Sequence, residues 1–215
     1  MKMMMHTLLR SSLIICCVAV LPASELVIRD VTLGITAPPA NFTYEITDSA
    51  GTRSGQDAFD SVSGLALGFQ WSFAGPGQST GLVLGGRLIS ESSTFAGGGT
   101  FTGLGADLDV GYGWAISDRL TLVPLVTLSP RRHTMDVEAS GSITGFSASG
   151  FGYAYGARAV LAYAIADVVV LGIEAGYRRG TASLSGDRDV QFDTDGLTFG
   201  LVFGWRFAAT PMGLE

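Results

Sequence analysis

Lysine is almost absent: Lys2 is the only one in 215 residues. Beyond it, a phosphate-loop lysine, a Schiff-base lysine and a lysine general base are all excluded. Cysteine is nearly as scarce, and Cys16 and Cys17 both fall in the first 23 residues. That leaves no disulfide staple for an exported domain and no His/Cys cluster for a transition metal. Cationic charge is also short: 13 Lys+Arg stand against 19 Asp+Glu, a net charge of -6. Without Lys2 and Arg10 the balance is 11 against 19, or -8. Nucleic acid, which demands clustered positive charge, is excluded as a partner. Long apolar runs are missing too, although 47% of the residues are apolar; the longest, Leu13 to Pro22, falls well short of the roughly 20 residues of a spanning helix.

What is present starts with an address. Lys2 and Arg10 give a cationic start, Leu13 to Leu21 an apolar stretch and Pro22-Ala23-Ser24 a small-residue exit, so residues 1–23 read as a secretory signal peptide. Lipidation does not fit, because Ile15 precedes Cys16 where a small residue is needed. The rest has a period of two. Leu197, Phe199, Leu201, Phe203, Trp205 and Phe207 take one face, and Thr198, Gly200, Val202, Gly204 and Arg206 the other. Tyr153 to Tyr163 and Leu104 to Trp114 alternate the same way, as do Leu65 to Phe73, Leu82 to Leu88 and Val169 to Tyr177. Weaker segments start near Val31 and near Leu120, the latter blurred by Pro124. The total is eight strands.

Connection lengths set the topology. Short turns at Ala74 to Ser79, Ala115 to Arg119 and Ile165 to Asp167 alternate with longer polar loops near Asp48 to Asp60, Glu91 to Gly99, Ser129 to Ser149 and Gly180 to Gly196. The expected fold is all-β: an eight-stranded antiparallel up-and-down transmembrane β-barrel with short periplasmic turns and longer extracellular loops. A soluble barrel with its greasy face inward is the competitor. Against it stand mid-strand charges on the small-residue face and the placement of the aromatics. Trp71, Phe73, Tyr112, Trp114, Tyr163, Trp205 and Phe207 cluster near the short-turn end, and Tyr153, Tyr155, Tyr177 and Phe199 nearer the loops. Two such girdles match the two interfaces of a bilayer.

Gly-Leu-Val-Phe-Gly-Trp-Arg-Phe at 200 to 207 resembles the terminal strand of the small eight-stranded outer-membrane barrels, the group of the OmpA transmembrane domain, OmpX and the Opa-like porin-family proteins of the Gram-negative envelope. The resemblance covers roughly residues 26 to 207. It implies outer-membrane localisation at the cell surface and reading of the last strand by the barrel assembly machinery. Organisation is then 1–23 signal peptide, 24–207 barrel and 208–215 a short tail, too short for a peptidoglycan-binding domain. The large residues run in phase with Phe207, so Phe207→Asp should impair membrane insertion more than deleting residues 208–215, measured as the folded fraction in assembly assays. Equal insertion of the two would show the resemblance to be accidental.

Few residues offer chemistry. Gly97-Gly98-Gly99 and Gly103-Leu-Gly105 have no helix after them and read as a turn and a strand face. His133 is the only histidine after the signal peptide, and a lipid-modifying enzyme of the lipid A deacylase kind would have to use it. It lacks that group's His-x-Ser arrangement, since Met135 stands two places on, and reads as a solvated side chain near a loop. Asp107-Leu-Asp109 resembles the acid pair of the omptin proteases but falls mid-strand. Asn41-Phe42-Thr43 is a sequon without meaning in bacterial export. No catalytic residue, metal site or cofactor is expected.

Charges on the inner face are expected to pair. A hairpin centred at residue 166 sets Arg158 opposite Glu174, with Leu161 facing Leu171 outside, and one centred at 97 or 98 sets Arg87 opposite Asp107 or Asp109. Two arginine-centred clusters would then plug a lumen only wide enough for side chains. The loops carry Asp57, Asp60, Glu91, Arg131, Arg132, Arg179, Asp187, Arg188, Asp189, Asp193 and Asp195, suited to lipopolysaccharide phosphates or to an extracellular ligand. The expected role is structural or surface-interacting, with a lipid-modifying enzyme using His133, or a narrow solute channel, as the alternatives.

Overall fold

The computed structural model describes residues 26–73, 81–95, 98–139 and 144–206. The proposed signal peptide and tail, with Phe207, lie outside the described residues, as do the side chain of Phe73 and the whole of the 74–79 turn. The described residues form strands β1 (Leu26–Ala37), β2 (Asn41–Asp48), β3 (Gly51–Phe73), β4 (Gly81–Phe95), β5 (Gly99–Ala115), β6 (Leu120–Val137), β7 (Phe146–Ala166), β8 (Val169–Gly186) and β9 (Asp189–Arg206). Each pairs antiparallel with its neighbours, and β1–β9 and β3–β4 pairing closes the sheet.

The ring has eight staves, because β1 and β2 are one stave broken at a proline pair. Against β9, Ala37 pairs with Phe199 and Phe42 with Thr194. Five steps on each strand keep one register across the gap, where Pro38 and Pro39 supply no N–H. The same logic marks β6, where Pro124 and Pro130 sit between two partners. Its ladder to β7 is continuous from Leu120 to Val137, whereas the ladder to β5 lapses at 123–124 and at 129–130. At these lapses the partner strand carries Gly111 and Gly105, where a Cβ would strike the carbonyl oxygen of Pro124 or Pro130.

Leu65, Leu88, Leu104, Val126 and Leu201 are each at least 60% exposed on the outer wall, which rules out the soluble barrel with a greasy interior. Trp114, Tyr112, Tyr163 and Trp205 mark the lower edge of this band, and Phe151, Tyr153, Tyr155, Tyr177 and Phe199 the upper. From Leu104 to Trp114 the band spans ten residue steps along β5. At about 3.3 Å per step and a tilt of about 40° that is about 25 Å, the height of an outer-membrane band. Just above it the outward positions turn polar on strand after strand: Ser63, Ser90, Thr102, Arg132, Ser149, Arg179 and Asp195.

The segments expected to be long loops are mostly paired strand. β2 and β3 meet in a tight turn in which Ala50 N–H donates to the Asp48 side chain at 2.8 Å and Gly51 takes φ +122°. Only residues 187–188 separate β8 from β9. The cause lies on the inner face, where Phe42, Phe59, Phe101, Met135, Phe146, Leu184, Val190 and Phe192 form a buried core above the band. Polar outward residues gave these stretches a loop-like composition while their inner positions gave them a reason to pair. A second correction concerns the β7–β8 hairpin. Its turn falls at residues 167–168, not 165–167, and with a one-residue irregularity between Ala164 and Ala166 the ladder stands two residues from the expected register, so Arg158 pairs with Gly176 and Leu161 with Ile173.

Candidate functional site: the filled lumen

Inward positions from the short-turn end upward form three layers. Val83, Val123, Leu125 and Val160 pack the lower interior. The aromatic core caps the top. Between them lies a layer of charge, which alternation assigns to the inner face of β4, β5, β6, β7 and β8.

All five charged residues expected in the lumen fall in this layer. Arg87 stands directly opposite Asp107, and its Nε donates to the Asp107 carboxylate at 2.7 Å. Its Nη1 donates to both oxygens of Glu174, at 2.9 and 3.1 Å. Arg158 joins Glu174 at 2.7 Å and Asp109 at 2.7 Å, so the diagonal pair survives the register shift. Glu174 therefore links the two expected clusters into one. Losing Arg158 would leave Glu174 its partner Arg87, and the carboxylate left without its ion pair would be Asp109.

Three further charges extend the network. Arg131 Nη2 donates to Asp107 at 3.0 Å, and Arg131 also pairs with Glu91. Arg178 holds Glu91 in a fork of 2.7 and 3.0 Å. Ser129 and Thr127 donate to Asp107 and Asp109. Among the described residues the chain of alternating charge runs Arg178, Glu91, Arg131, Asp107, Arg87, Glu174, Arg158, Asp109, four of each sign. Glu91 and Arg131, expected in loops, point inward instead, and Arg178 had no expected role. Alternation finds all three: Glu91 shares the odd phase of Arg87, Arg178 the even phase of Glu174, and Arg131 the odd phase of Leu125 and Thr127. Room for the bulky groups comes from glycines paired with them on the adjacent strands. A Cβ at Gly68 would sit 2.6 Å from Arg87 Cβ, and one at Gly200 would sit 2.7 Å from Glu174 Cγ.

Eight charges in so narrow a space are tolerable because each is paired and hydrogen-bonded. Two cavities of about 30 Å³ each adjoin the network, one beside His133 and Arg178, the other among Thr36, Arg87 and Glu174. Each has the room of a single water molecule.

His133 is not the solvated side chain expected. It points inward above the lipid band, between outward Arg132 and Thr134, and stacks on Phe101 with centroids 4.9 Å apart and planes 12° from parallel. Burial, followed by the nearby Arg131 guanidinium, holds its pKa down at about 4, so the ring is neutral at ordinary pH. Its Nδ1 is buried without a hydrogen-bond partner. A nucleophile-activating base has its ring held by an acid and turned to a hydroxyl; Glu91 and Ser93 line the same small cavity as His133, but Glu91 is committed to Arg131 and Arg178. Asp107 and Asp109 are committed to arginines mid-barrel. Gly98 and Gly99, at φ +95° and +130°, serve the β4–β5 turn.

Of the interfacial aromatics, Tyr112, Trp114, Tyr163 and Trp205 stand outward and exposed, and Trp71 packs on Phe69 at 4.3 Å. A closed eight-stave ring with a lipid-facing band defines an outer-membrane β-barrel, and it places the protein in the outer membrane. No family model and no curated protein matches the sequence. Among solved structures, the chain is similar to Ail, the attachment invasion locus protein of Yersinia pestis, at 17% identity and TM-score 0.43, covering 84% of this chain and 99% of that one. It is also similar to the outer-membrane protein OprG of Pseudomonas aeruginosa, at 16% identity and TM-score 0.49, covering 85% and 98%. Neisserial surface protein A is similar at 14% identity and TM-score 0.35, covering 82% and 97%. At such identities no residue's role passes from them to this chain.

Proposed function

We propose that the protein is a non-conducting outer-membrane barrel that acts at the cell surface, as a structural element or through its extracellular hairpins, without enzymatic chemistry. The observation that carries this reading is the filled lumen: a neutral network of eight paired charges between two apolar layers, with gaps of only about 30 Å³ beside it. Ions crossing it would have to break several buried ion pairs at once. The surface role rests on what stands above the band. Arg132 and Arg179 lie at its upper edge, at the level of lipopolysaccharide phosphates, and Asp57, Asp60, Asp187, Arg188, Asp189, Asp193 and Asp195 decorate the hairpins beyond. The barrel assembly machinery is the partner proposed for the last strand.

The test is electrical. Purified barrel in a planar lipid bilayer should give no steady single-channel current, and brief, irregular events at most. A steady, large conductance from the unmutated protein would overturn the plugged reading in favour of a solute channel.

A further inference from the structure

The extracellular mouth is built differently from the interior below it. Within the charge layer, and between it and the aromatic core, the barrel packs down to water-sized gaps. At the top it keeps an open concavity of about 260 Å³. Its wall is apolar: Tyr44, Ile46, Phe95 and Val137, only partly buried, line it over the buried rings of Phe42 and Phe192. The rings are fixed against one another: Phe42 stacks on Phe192 at 4.9 Å and 22°, and Phe95 meets Phe42 edge-on at 5.5 Å. An apolar hollow facing water is unfavourable unless something occupies it, and one with a polar rim is the usual form of a ligand site.

We infer that this cup binds a small neutral aromatic molecule from the external medium and holds it without passing it on. Size sets the first limit, since a hollow of about 150 Å³ already accepts benzene, so the cup takes one ring or two fused rings. The rim sets the second. Asp48, Arg53, Asp57, Glu138 and Arg188 offer both signs, and Arg188 is already engaged, 3.8 Å from Asp48 and 4.9 Å above the Phe146 ring. A charged head finds no field of one sign there. The floor sets the third: Phe192 stacks on Phe101 at 4.4 Å, and the charge network lies beneath. The bound ring has no route into the lumen, so binding here is compatible with a barrel that does not conduct.

Methionine supplies a clean reporter. Of the six methionines, Met1, Met3, Met4 and Met5 belong to the expected signal peptide, which leaves Met135 in the cup wall and Met212 in the tail. Fluorobenzene titrated into methyl-labelled protein in nanodiscs should shift the Met135 methyl resonance saturably, leave Met212 unmoved and be displaced by toluene. Ile46→Trp and Val137→Trp, two replacements on partly buried positions of the upper core, should each abolish the saturable shift while the barrel still migrates as the folded form in mild SDS. A Met135 shift that rises without saturating, or that toluene does not displace, would mean partition into lipid and would overturn the proposal. So would saturable binding that persists unchanged in a folded cup-filling variant.

Discussion

Glu174→Ala is expected to destabilise the folded barrel by about 3–5 kcal/mol, the usual cost of breaking a buried ion pair from one side. The position is singled out because Glu174 bridges Arg87 and Arg158. Its loss leaves two guanidiniums facing each other across the lumen, with Asp107 and Asp109 holding them from one side only. Glu174→Gln keeps the shape and some hydrogen bonding, and should cost less. Surface replacement of Asp195, which accepts a hydrogen bond from the exposed Tyr177 hydroxyl at 2.9 Å, should stay within about 0.5 kcal/mol. Urea unfolding in lipid vesicles gives the order directly. If Glu174→Ala unfolds no earlier than the Asp195 variant, the network does not hold the barrel together.

Phe192→Ala should remove about 3–5 kcal/mol from the upper core while leaving the lipid-embedded wall intact. Phe192 is almost fully buried and stacks on Phe42 and Phe101, with Phe59 at 5.9 Å. It is the most deeply buried ring of that core. Below the band's edge the strands keep their own ladders and their lipid contacts, so the two layers should separate energetically. Protease added outside should cut the hairpins of the variant faster, while the temperature at which folded barrel turns into the slow-migrating form stays unchanged. A joint drop in both would show that hairpins and barrel melt as one unit.

The membrane-embedded part was legible in the sequence because lipid imposes a strict period of two with large residues on one face. Leu104 to Trp114 and Leu197 to Trp205 could hardly be read otherwise, and the same phase put Arg87 opposite Asp107 or Asp109, of which the ladder has Asp107. Outside the lipid that constraint fades. Around Phe42, Phe59 and Phe192 the inward rings are spaced by Thr, Asp, Gln and Gly, so composition suggested loops where pairing continues. Arg131 was hidden by Pro124 and Pro130, which break the pattern of β6 without breaking its ladder to β7. Arg178 was hidden beside Arg179, although alternation from Glu174 sends the first inward and the second outward. The two-residue displacement of the β7–β8 register, set by a turn at 167–168 and a one-residue irregularity at Ala164–Ala166, has no visible cause in the residue types there. Long side chains bridged it, so the expected partners still met.

The most direct test of the account is where the protein resides and what it needs to stay folded. The expressed protein should fractionate with outer membrane, require detergent or lipid for purification, and run as a compact β-rich species in mild SDS that converts to the slower unfolded form only on heating. Recovery of a monodisperse, soluble protein from the periplasm without detergent would contradict it, because an outward face bearing Leu65, Leu88, Leu104, Val126 and Leu201 at 60% exposure or more could not then be facing lipid.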